Sequence, residues 1–338
     1  MIAVIVVNYG RPADTVACLR SLECARNGDF DVFLFDNGVH SGATAPALAG
    51  YLEERTRPWL TYRSDPENLG FAGACNLLIS ELVDGKRYRA IALVNNDAVV
   101  DRNWLCEMAA KLDLDAGVQM VAARMMRFDR RDEVDSLGIV LYRSGLAANR
   151  TNLQDPLLGP CGGAALYGAE LLARVREASG HVFDPAYFCY SEDTDLAIRA
   201  RLLGFTAAYA DAAIVWHKGS ATSGGAGSNF VMYHGLRNSL HTMHRDLPAG
   251  FFLRFWPWML VAQVAIVVKY LRHGRASLLR SVYRGWFAAR RDNVEARRRL
   301  KGRGVMRWAS LSSVVAPRLY DAKYLRLQLK NLFGKGQK

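Results

Sequence analysis

The chain opens on Ile2-Ala3-Val4-Ile5-Val6-Val7, an unbroken and mostly β-branched apolar run. Such a run predicts a strand covered on both faces, as in a parallel sheet. Val16, Leu19 and Leu22 then recur at helical spacing, and Val32 to Phe35 predicts a second strand that closes on Asp36-Asn37-Gly38. Leu60 to Arg63 reads as a third strand, Phe71 to Leu82 as a helix, and Ala90 to Val94 as a fourth strand running into Asn95-Asn96-Asp97. Strands alternating with helices predict an α/β fold with a mainly parallel central sheet. Ligands of such sheets sit beyond the carboxyl ends of the strands, so Asn8-Tyr9, Asp36-Asn37 and Asn95-Asn96-Asp97 should converge on one crevice.

From Val118 the strands shorten, with Gly138 to Leu141 the clearest, and a glycine-rich joint follows at Gly159-Pro160-Cys161-Gly162-Gly163. Leu196, Ala200 and Leu203 predict a short amphipathic helix from about Thr194 to Leu203, with Ser191 as N-cap and Gly204 as stop. Acids at its start suit the helix dipole, and Asp195 with Arg199 makes an i, i+4 ion pair. A second glycine-rich loop, Gly219 to Gly227, follows Trp216-His217. Phe255 to Val268 is almost wholly apolar, but those residues would reach only about 21 Å as a helix, short of a ~30 Å hydrocarbon core. Leu279, Val282, Tyr283 and Trp286 keep an apolar stripe beside Arg280, Arg284, Arg290 and Arg291, the composition of a helix lying in a membrane interface.

Charge sharpens this division. Residues 1–244 hold 23 Lys and Arg against 28 Asp and Glu, whereas residues 245–338 hold 21 against 4, so the overall +12 belongs to the last quarter. A catalytic body at 1–244, with halves of about 1–117 and 118–244, is expected to carry a helical, basic, membrane-associating region at 245–338, with residues 251–301 meeting the membrane surface. Nucleic acid is the other anionic partner such a region could bind, but no reader motif supports it. The six cysteines show no CxxC pair or framework spacing, which points to reduced thiols. The N-terminal run meets Asn8 too soon for a signal peptide, so a cytoplasmic location is expected.

Several residues carry candidate chemistry. Asp97, with amide oxygens of Asn95 and Asn96 beside it, could hold a divalent cation against a diphosphate. His217 follows another strand. Gly70 and Gly73 would let a ligand approach a helix start between Asn68 and Asn76, and this stretch is not a GxGxxG dinucleotide motif. A nucleotidyltransferase could use a similar crevice, although a carboxylate after Tyr190-Ser191-Glu192 is harder to explain there.

In order and spacing these pieces resemble inverting family 2 glycosyltransferases of the GT-A fold. The matching segments are VIVVNYGR at Val4 to Arg11, FDNG at Phe35 to Gly38, NLGFAGACN at Asn68 to Asn76, LVNNDAVV at Leu93 to Val100, GPCGGAALY at Gly159 to Tyr167, YSEDTDLAIRARLLGF at Tyr190 to Phe205, WHKGSATS at Trp216 to Ser223 and YHGLRN at Tyr233 to Asn238. The likeness is greatest to the rhamnosyltransferase-type branch that builds bacterial surface polysaccharides. It implies that Asn8, Tyr9, Arg11 and Asp36 hold the base and ribose of a nucleoside-diphosphate sugar, dTDP-L-rhamnose foremost, and that Asn68 and Asn76 close the pocket. UDP-hexose and UDP-galactofuranose are the alternative donors. Asp97 and His217 would ligate Mg²⁺ or Mn²⁺, although Asn95 fills the position where the family's acidic motif often has its first Asp. Asn95 and Asn96 would flank the diphosphate, and Ser220, Ser223 or Arg237 would help neutralise it. Asp193 would be the catalytic base, since inverting transfer needs a carboxylate to take the acceptor proton. Glu192 would orient the acceptor or support the base, and Gly162 and Gly163 would let the acceptor approach the backbone. The acceptor implied is a saccharide hydroxyl, and the basic, Trp-rich C-terminal end beside the donor site leads us to expect it on a polyprenyl diphosphate at the inner face of the cell membrane. Oligomerisation is left open.

Overall fold

A computed structural model describes residues 1–26, 30–38, 45–219, 227–322 and 324–326. The predicted alternation is present: β1 (Ile2–Asn8), α1 (Pro12–Cys24), β2 (Phe30–Asn37), α2 (Pro46–Glu54), β3 (Leu60–Asp65), α3 (Gly70–Asp84) and β4 (Ala90–Asn95). After these come β5 (Ala98–Val100), α4 (Trp104–Lys111), β6 (Val118–Arg127), β7 (Val134–Ser136), β8 (Ile139–Tyr142), β9 (Ala147–Asn149) and β10 (Ala164–Gly168). The body continues through α5 (Ala169–Ser179), α6 (Glu192–Leu202) and β11 (Thr206–His217).

The large sheet has the order β3-β2-β1-β4-β10-β6-β11-β5, with β7 on the side of β6. β1 lies parallel to β2 and β4, and β2 to β3, while β10 runs antiparallel to both β4 and β6. The sheet is thus mainly parallel, with β10 reversed at its centre and β5 and β7 reversed beside β11 and β6. Side chains of a strand alternate between faces, and β1 shows why its run is unbroken. Ala3 and Ile5 enter the core beneath α3, α5 and α6, whereas Ile2, Val4 and Val6 enter a second core with Leu19 of α1 and Trp104 of α4. Each large aliphatic side chain buried this way contributes about 1.5–3 kcal/mol relative to exposure. Register puts Asn8 beside Asp36, and Val7 beside Asn95, so the polar residues end at one edge.

The basic region begins within α7 (Asn229–Asp246), which runs through the boundary expected after residue 244. It continues as α8 (Ala249–Arg272), α9 (Ala276–Ala288), α10 (Arg290–Gly302), α11 (Ala309–Ser312) and β12 (Val315–Ala316). Phe251, Phe255, Leu300 and Leu311 join the same core as Ile5 and Leu196. β12 pairs in parallel with β8, which also pairs with β9 in a small second sheet. Many basic side chains serve this packing: Arg297 donates to the carbonyls of His244 and Leu247 at 3.0 and 2.7 Å.

Two expectations for this region change. The helix holding Phe255 to Val268 extends over 24 residues, because Arg254 and Lys269 lie within it. At 1.5 Å per residue it is about 36 Å long, so by length and composition it could cross a membrane, and only 17% of its most apolar window is buried. The stripe on α9 is not offered outward: Leu279 and Val282 are buried, and α9 packs against α7 and α8.

Candidate active site

A cavity of about 1600 Å³ opens at the carboxyl edge of the sheet, and Tyr9, Asn95, Asp97, Gly162, Asp193 and His217 all line it. The two candidate metal ligands come from different strands. β11 lies antiparallel to β5 with His217 opposite Ala98, which brings its ring to the neighbouring Asp97. His217 Nε2 is 3.2 Å from Asp97 Oδ1 and 3.2 Å from the side-chain amide of Asn95. Its Nδ1 lies 2.8 Å from Asp135 Oδ2. Burial works against the protonated ring, but the bonds to Asp135 and Asp97 carry its pKa up to about 9. Burial likewise works to raise Asp97, yet the hydrogen bond and charge of His217 leave that carboxyl below its ordinary value.

Among the described residues no cluster of three or more His, Cys, Asp and Glu side chains is arranged for a metal. The donor chemistry nonetheless fits a hard or borderline cation: one carboxylate and one imidazole nitrogen face each other, with the side-chain amide of Asn95 beside them. Asp135 supplies the carboxylate that commonly orients a ligating histidine through its other nitrogen. Sequence reasoning missed Asp135, which sits among Asp129, Asp132 and Glu133 in a polar stretch without periodicity.

The carboxylates of α6 stand across the cavity. Asp193 Oδ2 accepts from the backbone N–H of Gly162 at 2.9 Å, and its Oδ1 from the N–H of Thr194 at 2.7 Å. Burial pushes its pKa up, and those N–H groups hold it back. Glu192 is more isolated: its Oε2 is buried without a partner, and burial together with the Asp193 charge pushes its pKa up to about 8. The expected amphipathic helix is in fact buried from Thr194 to Leu202, enclosed by α5, α7 and α11. Ser191 is no side-chain cap. It occupies the N-cap position at φ 67° and its hydroxyl makes no capping bond. Asp195 is paired with Arg199, whose Nε is 3.1 Å away, and takes no place in the cavity lining.

The segment leading into α6 is unusual. Phe188, Tyr190 and Ser191 all have positive φ without being glycine, a conformation that costs energy and persists only when its surroundings enforce it. Two helices do so. Asn238 of α7 donates to the carbonyls of Tyr187, Cys189 and Tyr190. At the start of α3, Ala72 N–H donates to Phe188 O, and a Cβ on Gly70 would lie 2.5 Å from that oxygen.

The donor-side residues fall into two groups. Tyr9, Asn68, Asn95 and Asn96 line the cavity. Asn8 and Asp36 lie behind them, where Asn8 Nδ2 donates to Asp36 at 2.7 Å and Asn8 Oδ1 accepts from Thr15 at 2.6 Å. Arg11 pairs with Asp14 at 3.1 Å. Asn76 is spent on both backbone groups of Phe183, and Arg237 donates to Ala186 O and to Asn238; neither lines the cavity. Gly162 and Gly163 do, and a Cβ at Gly163 would meet Met125 at 2.8 Å. Ser220 and Ser223 lie outside the described residues.

Comparison with known proteins gives this geometry a family. No curated protein matches the chain in sequence. Among solved structures, a mannosyltransferase from Pyrobaculum calidifontis in complex with GDP-Man and Mn²⁺ is similar at 16% identity, over 99% of this chain and 88% of that one, with a TM-score of 0.52. GalNAc-T7 with UDP, GalNAc and Mn²⁺ is similar at 12% identity, over 78% of this chain and 51% of that one, with a TM-score of 0.55. S. aureus TarS 1-349 shares 16% identity over 71% of this chain at a TM-score of 0.49, and the chain spans 64% of its length. The shared architecture is the GT-A fold. Residues 3–176 match Glycosyl transferase family 2. The chain therefore belongs to glycosyl transferase family 2.

Proposed function

We propose that the chain transfers a sugar from a nucleoside diphosphate to a saccharide hydroxyl with inversion at the anomeric carbon. The observation that carries this reading is the half-buried Asp193 carboxylate, fixed by Gly162 N–H and lining the same cavity as Asp97 and His217. In the step, the acceptor oxygen bonds to the anomeric carbon as the bond to the diphosphate oxygen breaks. Asp193 takes the hydroxyl proton, and the nucleoside diphosphate leaves from the opposite face. Asp97 and His217 would hold Mg²⁺ or Mn²⁺, which supplies positive charge to the departing diphosphate when bound. Glu192, kept protonated by burial, could donate a hydrogen bond to the acceptor and keep a second negative charge away from the base.

The donor we favour is dTDP-L-rhamnose, from the likeness of the motifs to the rhamnosyltransferase branch, with UDP-hexose and UDP-galactofuranose as alternatives. GDP-Man and Mn²⁺ in the mannosyltransferase support the same general class of donor and cation. The outward apolar residues of α8, Leu253 and Trp256 among them, together with the basic charge of residues 245–338, support a site of action on the inner face of the cell membrane and a lipid-linked acceptor. The decisive experiment is a donor panel read by release of dTDP, UDP or GDP, with and without Mg²⁺ or Mn²⁺. Cation-dependent dTDP release is expected, and absence of release from every donor would reject the reading.

A further inference from the structure

The cavity does not end at the reacting groups. Beyond Asp193 it continues to α8, and there its walls change character. Val261, Val264, Ala265 and Val268 follow one another at i, i+3, i+4 and i+7, a single helical face, and all four line the cavity together with Leu146 and Leu236. The valines remain 54%, 53% and 45% exposed, so this end is open among the described residues. A volume of about 1600 Å³ also exceeds the roughly 300–1,000 Å³ typical of a small-molecule pocket. A nucleotide sugar leaves room for a second substrate. The polar groups divide along the same line: Asp97, Glu192, Asp193 and His217 line the sheet end, while Lys269 and His273 line the α8 end.

We propose that the α8 end binds the isoprenoid chain of a lipid-linked acceptor and leads its saccharide to Asp193. The proposal rests on the transferase reading above and adds the place where the lipid sits. A wholly polar acceptor would set its hydroxyls against the valine face and leave them without partners. An isoprenoid removes that face from water instead, and its phosphate linkage finds the Lys269 ammonium rather than the carboxylates. Continuity with the catalytic residues separates this occupant from bilayer acyl chains, which would have no need of a passage to Asp193.

The test uses the full chain and the variants Val264→Asp and Val268→Asp, at exposed positions where folding should be preserved, as thermal midpoints can verify. Farnesyl phosphate binding is measured by calorimetry below its aggregation limit, with inorganic phosphate and anionic phosphatidylglycerol vesicles as separate arms. Farnesyl phosphate should bind, inorganic phosphate should bind at least tenfold more weakly, and each variant should lose at least tenfold of the farnesyl affinity. The accepting sugar is also presented as a methyl glycoside and on farnesyl diphosphate. The farnesyl form should have at least a tenfold lower KM, and the variants should erase that advantage while sparing the methyl glycoside. Equal KM values for the two acceptors would overturn the proposal. So would variants that lose vesicle binding, or dissociate a dimer, with the farnesyl advantage intact. Failure of the transferase reading looks different: neither acceptor is modified, while variant-sensitive farnesyl phosphate binding still establishes the lipid site and its absence still refutes it.

Discussion

Asn238 Nδ2 lies 2.7 Å from the carbonyl oxygen of Tyr190, and this bond ties the middle of α7 to the left-handed turn from which α6 starts. The same amide reaches the carbonyls of Tyr187 and Cys189, at 3.0 and 2.8 Å. Asn238 is fully buried. Asn238→Ala would remove the donor that these three carbonyls share and should destabilise the chain by about 1–3 kcal/mol. Because Asp193 stands in the first turn of the helix that the turn feeds, turnover should fall more than donor affinity does. Denaturant unfolding and a comparison of kcat with nucleotide Kd would show it, and equal losses in both would argue for a merely structural role.

Asp193→Asn keeps the shape of the side chain and removes the carboxylate proposed as base. Turnover should fall by roughly 10²–10⁴-fold, with nucleotide binding by calorimetry nearly unchanged. A variant with near-normal turnover would sink the assignment.

Asp135→Asn tests the orientation of His217. Asparagine cannot anchor the Nδ1 proton as a carboxylate does, so Mn²⁺ affinity should drop by about 10–100-fold. Manganese binding can be followed by electron paramagnetic resonance in the presence of nucleotide. Unchanged affinity would mean that His217 is not held as a ligand.

Glu192 makes a pH signature. Its pKa of about 8 lies above the ordinary 4.5, so between those values the unfolded chain releases a proton that the folded chain keeps. This contribution is fully present below about pH 4.5 and is lost as pH rises through about 8. Glu192→Gln should flatten that decline, and unfolding midpoints measured from pH 5 to 9 would reveal a steeper fall in the unsubstituted protein. Parallel profiles would reject the buried neutral carboxyl.

What could be read in advance follows from what periodicity records. The run Ile2–Val7 is legible because both faces of β1 are buried, and the polar ends Asn8, Asp36 and Asn95 are legible because the parallel strands stop at one edge. Pairings between distant segments leave no such trace. Asp135 reaches His217 across 82 positions of sequence, and nothing in its neighbourhood marks it off from adjacent acids. Ser191 looked like a cap because its residue type and the acids after it match a helix start, whereas the left-handed turn is imposed by Asn238 and Gly70 from elsewhere. The charges Arg254 and Lys269 disguised the length of α8, since each stands within a helix whose other residues are mostly apolar.

The reversed strand β10 has a consequence for how such a molecule can diversify. β1 and β4 deliver their last residues to the crevice, but β10, running the other way, delivers its first, so Gly163 lies against Asn95 through a 2.9 Å backbone bond. The two halves of the crevice are therefore fed by independent stretches of chain that meet across one seam. On the roles proposed above, lineages could rewrite the segment entering β10, and with it the molecule being decorated, while inheriting the nucleotide-facing edge intact.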